Sequence, residues 1–398
     1  MLDVAIVGAG VSGLAAARAL AERGLRVAVL EARRRIGGRV HTVRDPRFPI
    51  PLEAGAEFVH GRPPELWREL VRAGSPPVRV DGKHFLFQDG RLRNANPLWA
   101  RTQEKLSALP RTLRDMSVER AFETLRWRGR TSAEERKLAN AFVEGFNAAR
   151  LEEVSLKSIR QQIAAAEEVD GDAIRRLPRG YGRLCASLAE GVEIRLGAAV
   201  REVRSRRNSV ELRTARGVVE ARRAILTLPL GVLQARTVRL RLSRRKRDAV
   251  AALRMGPVIK VALRFDSRRW PADLAFLHVP DGEIPTFWRP LPSHAPVLIG
   301  WAASHAAESL RDPRGAAIRT AERLFATRPR AVRVFDWQTD PLSRGAYSWV
   351  PVGALDAQRE LARAEGPLHF AGEASEFEGA CATVHGAFRT GLRAADEI

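Results

Sequence analysis

The stretch GAGVSGLAAARALAERGLRVAVLEARRRIGGRV, residues 8–40, decides the fold. The apolar run Val4 to Val7 precedes it, Leu14 to Glu22 is alanine-rich without a breaker, and Val27 to Leu30 is a second apolar run. Strand, tight turn, helix and strand in this order predict a βαβ unit. The turn Gly8-Ala9-Gly10-Val11-Ser12-Gly13 carries three glycines at GxGxxG spacing. Gly8 allows the turn, Gly10 lets backbone approach a pyrophosphate, and Gly13 lets helix and strand pack closely. The helix N-terminus then faces the anion. Glu31, 18 residues after Gly13, ends the second strand, where a carboxylate accepts ribose hydroxyls. This much suits NAD or FAD. Gly37-Gly38-Arg39 points to FAD, because two more glycines admit a long cofactor's phosphates and an arginine neutralises them.

Beyond this unit, residues 62 to 178 read as mostly helical, with helices expected at Pro64 to Ala73, Ala133 to Ala149 and Ser158 to Glu168. Strand patterns return at Val192 to Leu196, Val200 to Val203, Val210 to Thr214 and Ala224 to Leu228, then at Val258 to Phe265, Val297 to Trp301 and Val332 to Trp337. No composition shift marks a linker. The expected fold class is α/β: a Rossmann-type FAD-binding domain interleaved with an α+β substrate domain, a mixed sheet flanked by helices. The expected boundaries are 1–75, 179–242 and 343–398 for the first domain, and 76–178 and 243–342 for the second.

The chain has 398 residues, 45% hydrophobic and 28% charged, which is ordinary for a globular protein and excludes disordered or collagenous classes. Its net charge of +21 raises nucleic acid as a partner. Only six of the 67 basic residues are lysine, and the arginines are spread along the chain. The basic runs Arg33 to Arg35, Arg204 to Arg207 and Arg244 to Arg247 lack interleaved aromatics, so a base-stacking surface is not expected. Cys185 and Cys381 form neither a disulfide framework nor a metal motif, and no apolar run is long enough for a membrane span. A cytoplasmic, non-membrane protein is expected. No GxSxG elbow, GxxxxGK[ST] loop or histidine metal spacing occurs, which removes hydrolase, NTPase and zinc readings.

Residues 8–40 closely resemble the flavin-containing amine oxidases, the family of monoamine and polyamine oxidases and lysine-specific histone demethylases. LEAGAEFVHG at 52–61, RMGPVIKVALRFDSRRW at 254–270, DPLSRGAYSWVPVG at 340–353 and FAGEASEFEGACATVHGAFRTGLRAAD at 370–396 resemble the same family. The resemblance implies FAD contacts at Gly8, Gly10, Gly13, Glu31, Arg33, Gly38, Arg39, Gly55, Ala56, Glu57 and Val200, with Gly372, Glu373, Thr383 and Val384 closing the site. Ala346 stands where monoamine oxidases carry the cysteine that attaches FAD, so non-covalent FAD is expected. Phe58 stands where L-amino-acid oxidases usually carry an arginine, which favours an amine without an α-carboxylate.

Lys260 lies within Val258 to Phe265, on the strand face opposite Ile259, Val261, Leu263 and Phe265. The family places such a lysine so that a water bridges it to flavin N5. Tyr347 falls where the family has one wall of an aromatic cage, whose π face accepts an amine nitrogen. Thr383 occupies the opposite wall, as in the demethylases, leaving Trp301, Trp337 or Trp349 to supply the missing ring, with Trp337 ranked first. Glu167, Glu168, Asp170 and Asp172 would attract a cationic amine if they lined the entrance, or form a solvated helix end.

The expected activity is FAD-dependent oxidation of a primary or secondary amine, polyamine or monoamine, by hydride transfer to flavin N5 to give an imine. Molecular oxygen then regenerates FAD and yields hydrogen peroxide. Two alternatives stay open at this point: a related desaturase or porphyrinogen-type oxidase with an apolar substrate, and a basic FAD-binding protein without turnover.

Overall fold

The computed structural model describes residues 1–109, 114–124 and 131–398. The βαβ unit forms as expected, with Leu2–Val7 and Val27–Glu31 parallel and Val11–Glu22 crossing between them. Both strands are buried on their two faces, which is why they read as continuous apolar runs. Their sheet has eight strands. Glu193–Leu196, Val27–Glu31, Leu2–Val7 and Gly217–Leu226 run in order, and Leu368–Phe370 joins Gly217–Leu226 in parallel. Ser209–Thr214, Val200–Arg206 and Arg239–Leu240 extend it.

The C-terminal helix Val384–Asp396 packs on Val11–Glu22. Gly391 makes the close approach possible, because a Cβ there would stand 2.1 Å from the Ser12 carbonyl oxygen. The fold is therefore α/β, with the last residues of the chain completing the layer begun by the first.

A second, mixed sheet of seven strands runs Ala331–Asp336, Val258–Arg264, Val297–Ala303, Thr286–Trp288, Leu274–His278, Lys83–Gln88 and Arg91–Asn94. Pro313–Phe325 covers one face through a core around Val261, Leu263 and Ala317. The helices Asn96–Ser107, Ala133–Asn147 and Leu156–Glu167 form a separate apolar layer. Residues 62–178 are thus not wholly helical. Lys83–Gln88 and Arg91–Asn94 form a hairpin across Asp89 and Gly90, both at positive φ, and Lys83–Gln88 pairs in parallel with Leu274–His278. The helix Arg244–Ala252 packs on Leu355–Ala362 through a core of Val250, Leu253 and Leu361. Among the described residues no helix is long and apolar enough to cross a membrane.

Candidate functional site

The glycine turn opens one end of a cavity of about 970 Å3. Gly8 has φ 106°, and a Cβ on Gly13 would stand 2.0 Å from the Gly8 carbonyl oxygen. Gly10 caps the helix, and a Cβ there would meet nothing within 4 Å, so this face of the turn is open. Gly38, at φ 59°, faces Gly10 across the loop, and Gly37 N donates to Ala9 O at 2.7 Å. Two glycine segments and a helix N-terminus thus converge on one open cradle, which fits a pyrophosphate.

Glu31 is buried at the strand end and accepts from Ala9 N and Arg33 N, both at 2.7 Å. The Arg33 guanidinium makes a two-pronged pair with Asp340 at 2.9 and 2.7 Å and reaches Ser343 Oγ at 3.0 Å. Arg39 Nη1 donates to Glu373 Oε1 at 2.7 Å and Ala346 O at 2.8 Å. The other oxygen of Glu373 accepts from the Ser348 hydroxyl at 2.7 Å. Glu373 therefore clamps the chain's first unit to its last, besides lining the cavity. Gly55, Ala56, Val200, Gly372 and Val384 line the same cavity.

Lys260 is buried on Val258–Arg264, the strand of the second sheet that lies between Ala331–Asp336 and Val297–Ala303. Its Nζ donates to Glu53 O at 2.8 Å and Gly55 O at 3.0 Å, and pairs with Glu57 Oε2 at 2.6 Å. Arg176 pairs with Glu57 Oε1 at 2.5 Å, and Trp288 Nε1 donates to that oxygen at 3.0 Å. Burial alone would raise the Glu57 carboxyl, but Arg176 and Lys260 outweigh it and hold it below the usual range. Lys260, Glu57 and Arg176 thus form a buried triad with one net positive charge. Arg176 is a site residue that the sequence reading missed, because its partner lies more than a hundred positions away.

Tyr347 lines the cavity and donates its hydroxyl to Phe146 O at 2.8 Å. Trp337 lies in the same apolar cluster, its indole nitrogen held by Ala54 O at 2.8 Å. Trp301 also lines the cavity, but Trp349 is packed in the core beside Val154 and Leu156, away from it. Of the three tryptophans considered, Trp349 is therefore excluded as a cavity wall. Thr383 is the N-cap of Val384–Asp396: its hydroxyl accepts from Gly386 N at 3.0 Å and donates to Ala380 O at 2.6 Å. That side chain is committed to the helix end while its residue borders the cavity. Glu167 and Asp172 reach the cavity as exposed rim residues, whereas Asp170 pairs with Arg175.

Four histidines that the sequence reading left aside line the cavity: His60, His84, His278 and His385. Burial pushes His60 and His278 down to about 4 and His84 and His385 to about 3, with His278 adding to the effect at His84 and His60 at His385. All four are neutral near pH 7.

The chain matches the model of flavin containing amine oxidoreductases over residues 11–398. It is 31% identical to polyamine oxidase 3 of Oryza sativa subsp. japonica, with 98% of this chain and 88% of that protein covered. It is also 31% identical to lysine-specific histone demethylase 1 homolog 2 of Arabidopsis thaliana, covering all of this chain and 58% of that longer protein. The solved structure of wild-type putrescine oxidase bound to putrescine superposes with a TM-score of 0.84 at 24% identity, over 100% of this chain and 98% of that one. With a glycine cradle and a buried lysine bordering one cavity, and with a family match over residues 11–398, the chain belongs to the flavin-containing amine oxidoreductase family.

Proposed function

We propose that the protein is an amine oxidase that holds FAD non-covalently, converts a primary or secondary amine to an imine, and passes the electrons to oxygen, yielding hydrogen peroxide. One observation carries this reading: the dinucleotide cradle and the buried Lys260 with Tyr347 and Trp337 border one continuous cavity. FAD bound there supplies the acceptor for the two electrons and hydrogen removed from the carbon next to the amine nitrogen.

The residues Gly8, Gly10 and Gly38 would receive the pyrophosphate, with Gly13 letting the turn close on itself, and Glu31 would receive the ribose, while Arg33 and Arg39, paired with Asp340 and Glu373, would offer their remaining donors. Tyr347 and Trp337 would flank the amine with π faces and little water, an environment that disfavours the ammonium and keeps the reactive lone pair free. Lys260 borders the same cavity, its Nζ 5.5 Å from the Trp288 ring and 5.9 Å from the Trp301 ring. Two of its donors go to the Glu53 and Gly55 carbonyls and Glu57 is its ion-pair partner, so a water held there would use the donor that the two carbonyls leave. In this reading residues 1–75, 179–242 and 343–398 hold FAD, and 76–178 and 243–342 enclose the amine.

Non-covalent attachment is supported by Ala346 beside Tyr347 and by the chemistry of Cys381, which borders the cavity. Burial pushes its thiol up to about 12, so little thiolate exists to attack a flavin. Two buried free thiols also suit a reducing, cytoplasmic setting. Purified enzyme given an amine panel in air should release hydrogen peroxide with at least one amine. Peroxide absent from flavin-loaded enzyme across the whole panel would overturn the proposal.

A further inference from the structure

From the triad, a path of ring contacts leads away along the cavity. Lys260 Nζ lies 5.5 Å from the Trp288 ring, Trp288 meets Phe58 at 5.3 Å, Phe58 meets Phe276 at 5.9 Å, and Phe276 stacks on His84 at 5.0 Å. There His84 Nδ1 and His278 Nε2 share a hydrogen bond of 2.9 Å, their rings within 11° of parallel. Trp99 stacks on both, at 4.5 and 5.0 Å. The far end is a flat, nearly parallel set of rings contributed by the hairpin strand Lys83–Gln88, the strand Leu274–His278 and the helix Asn96–Ser107.

Among the described residues no carboxylate hydrogen-bonds to or pairs with the His84, His278 or Trp99 side chains. Among the described residues the cavity lining holds five carboxylates. Glu31 and Glu373 belong to the cofactor end, and Glu57 is outnumbered by its two cations. Glu167 and Asp172 stand exposed at the rim. The histidine pair is uncharged near neutral pH and, if it did protonate, would add positive charge.

The geometry points to a monoamine substrate whose far end is an uncharged ring, seated against His84, His278 and Trp99, with a second ammonium group excluded from that position. The inference rests on the amine-oxidase reading above. A π face does attract a cation, but it returns less than the burial of an unpaired ammonium costs. The reacting nitrogen escapes this cost by losing its proton, whereas the distal nitrogen of a diamine would have to lose a second one.

The test uses flavin-loaded enzyme mixed anaerobically with 2-phenylethylamine, putrescine or spermidine, following flavin bleaching. The reduction rate constant divided by Kd should favour 2-phenylethylamine by at least about tenfold, equivalent to ~1.4 kcal/mol. Putrescine or spermidine equalling or exceeding 2-phenylethylamine would overturn the inference and leave the amine-oxidase reading intact; spermidine covers the case of an arm reaching the acidic rim. Bleaching by no amine would remove both. As a second measurement, His278→Glu supplies the missing carboxylate and should shift the putrescine to 2-phenylethylamine ratio toward putrescine. A folded His278→Glu enzyme with an unchanged ratio would contradict the assignment.

Discussion

Replacing Lys260 by methionine keeps the length of the side chain but removes the charge and all three donors. The carbonyls of Glu53 and Gly55 lose their Lys260 hydrogen bonds, and Glu57 keeps only Arg176 and Trp288. Breaking a buried ion pair from one side costs about 3–5 kcal/mol, and the abandoned carbonyls add to it. Glu57→Gln does the converse, leaving Lys260 and Arg176 as two cations around a neutral amide. Both charges of the pair are gone in the double variant, so the two losses should not add. We expect a coupling of about 1.5–3 kcal/mol in urea unfolding of the wild type, the two single variants and the double variant. Monitoring by circular dichroism with and without added FAD separates lost folding from lost cofactor. Losses that add within about 0.5 kcal/mol would refute the triad as described, because independent sites behave that way.

Three further outcomes follow from the same geometry. Each of His60, His84, His278 and His385 is depressed in the folded state relative to its ordinary value near 6.5, so the unfolded chain binds the extra protons first. Stability should therefore fall as pH drops from about 6.5 toward the folded values of about 3 to 4, by at most ~1.4 kcal/mol per pH unit for each histidine, and a melting temperature flat between pH 6.5 and 5 would contradict this. Gly13→Ala places a Cβ 2.0 Å from the Gly8 carbonyl oxygen and should yield folded but colourless protein; full flavin content by absorbance would show that the turn is not the cradle. Acid precipitation should leave the yellow colour in the supernatant, whereas colour in the pellet would reveal a covalent bond.

Legibility followed the range of the interactions. GxGxxG and Glu31 are a local pattern, since turn, helix start and strand end lie within one βαβ unit and each residue type has its own reason there. Lys260 was readable as a residue on a strand, but its triad was not: Glu57 and Arg176 reach it from distant segments, and spacing carries no trace of them. The Arg33–Asp340 and Arg39–Glu373 pairs escaped for the same reason. The hairpin at Asp89-Gly90 is different, because a DG step between short runs containing Phe85 and Leu92 is a local turn signal. It went unread within a segment taken as mostly helical, and His84 was lost with it. His278 depends on a parallel pairing across nearly two hundred residues, which no local pattern encodes. Thr383 joins both kinds of signal: it opens the last helix as its N-cap, with its hydroxyl held at the helix end, and it borders the cavity.

The most direct test of the central claim is to mix the flavin-loaded protein anaerobically with polyamines, monoamines and L-amino acids in a stopped-flow spectrometer, then admit oxygen. The account predicts that an amine without an α-carboxylate bleaches the visible flavin absorbance and that oxygen restores it with formation of peroxide. Flavin that stays oxidised with every amine would contradict it.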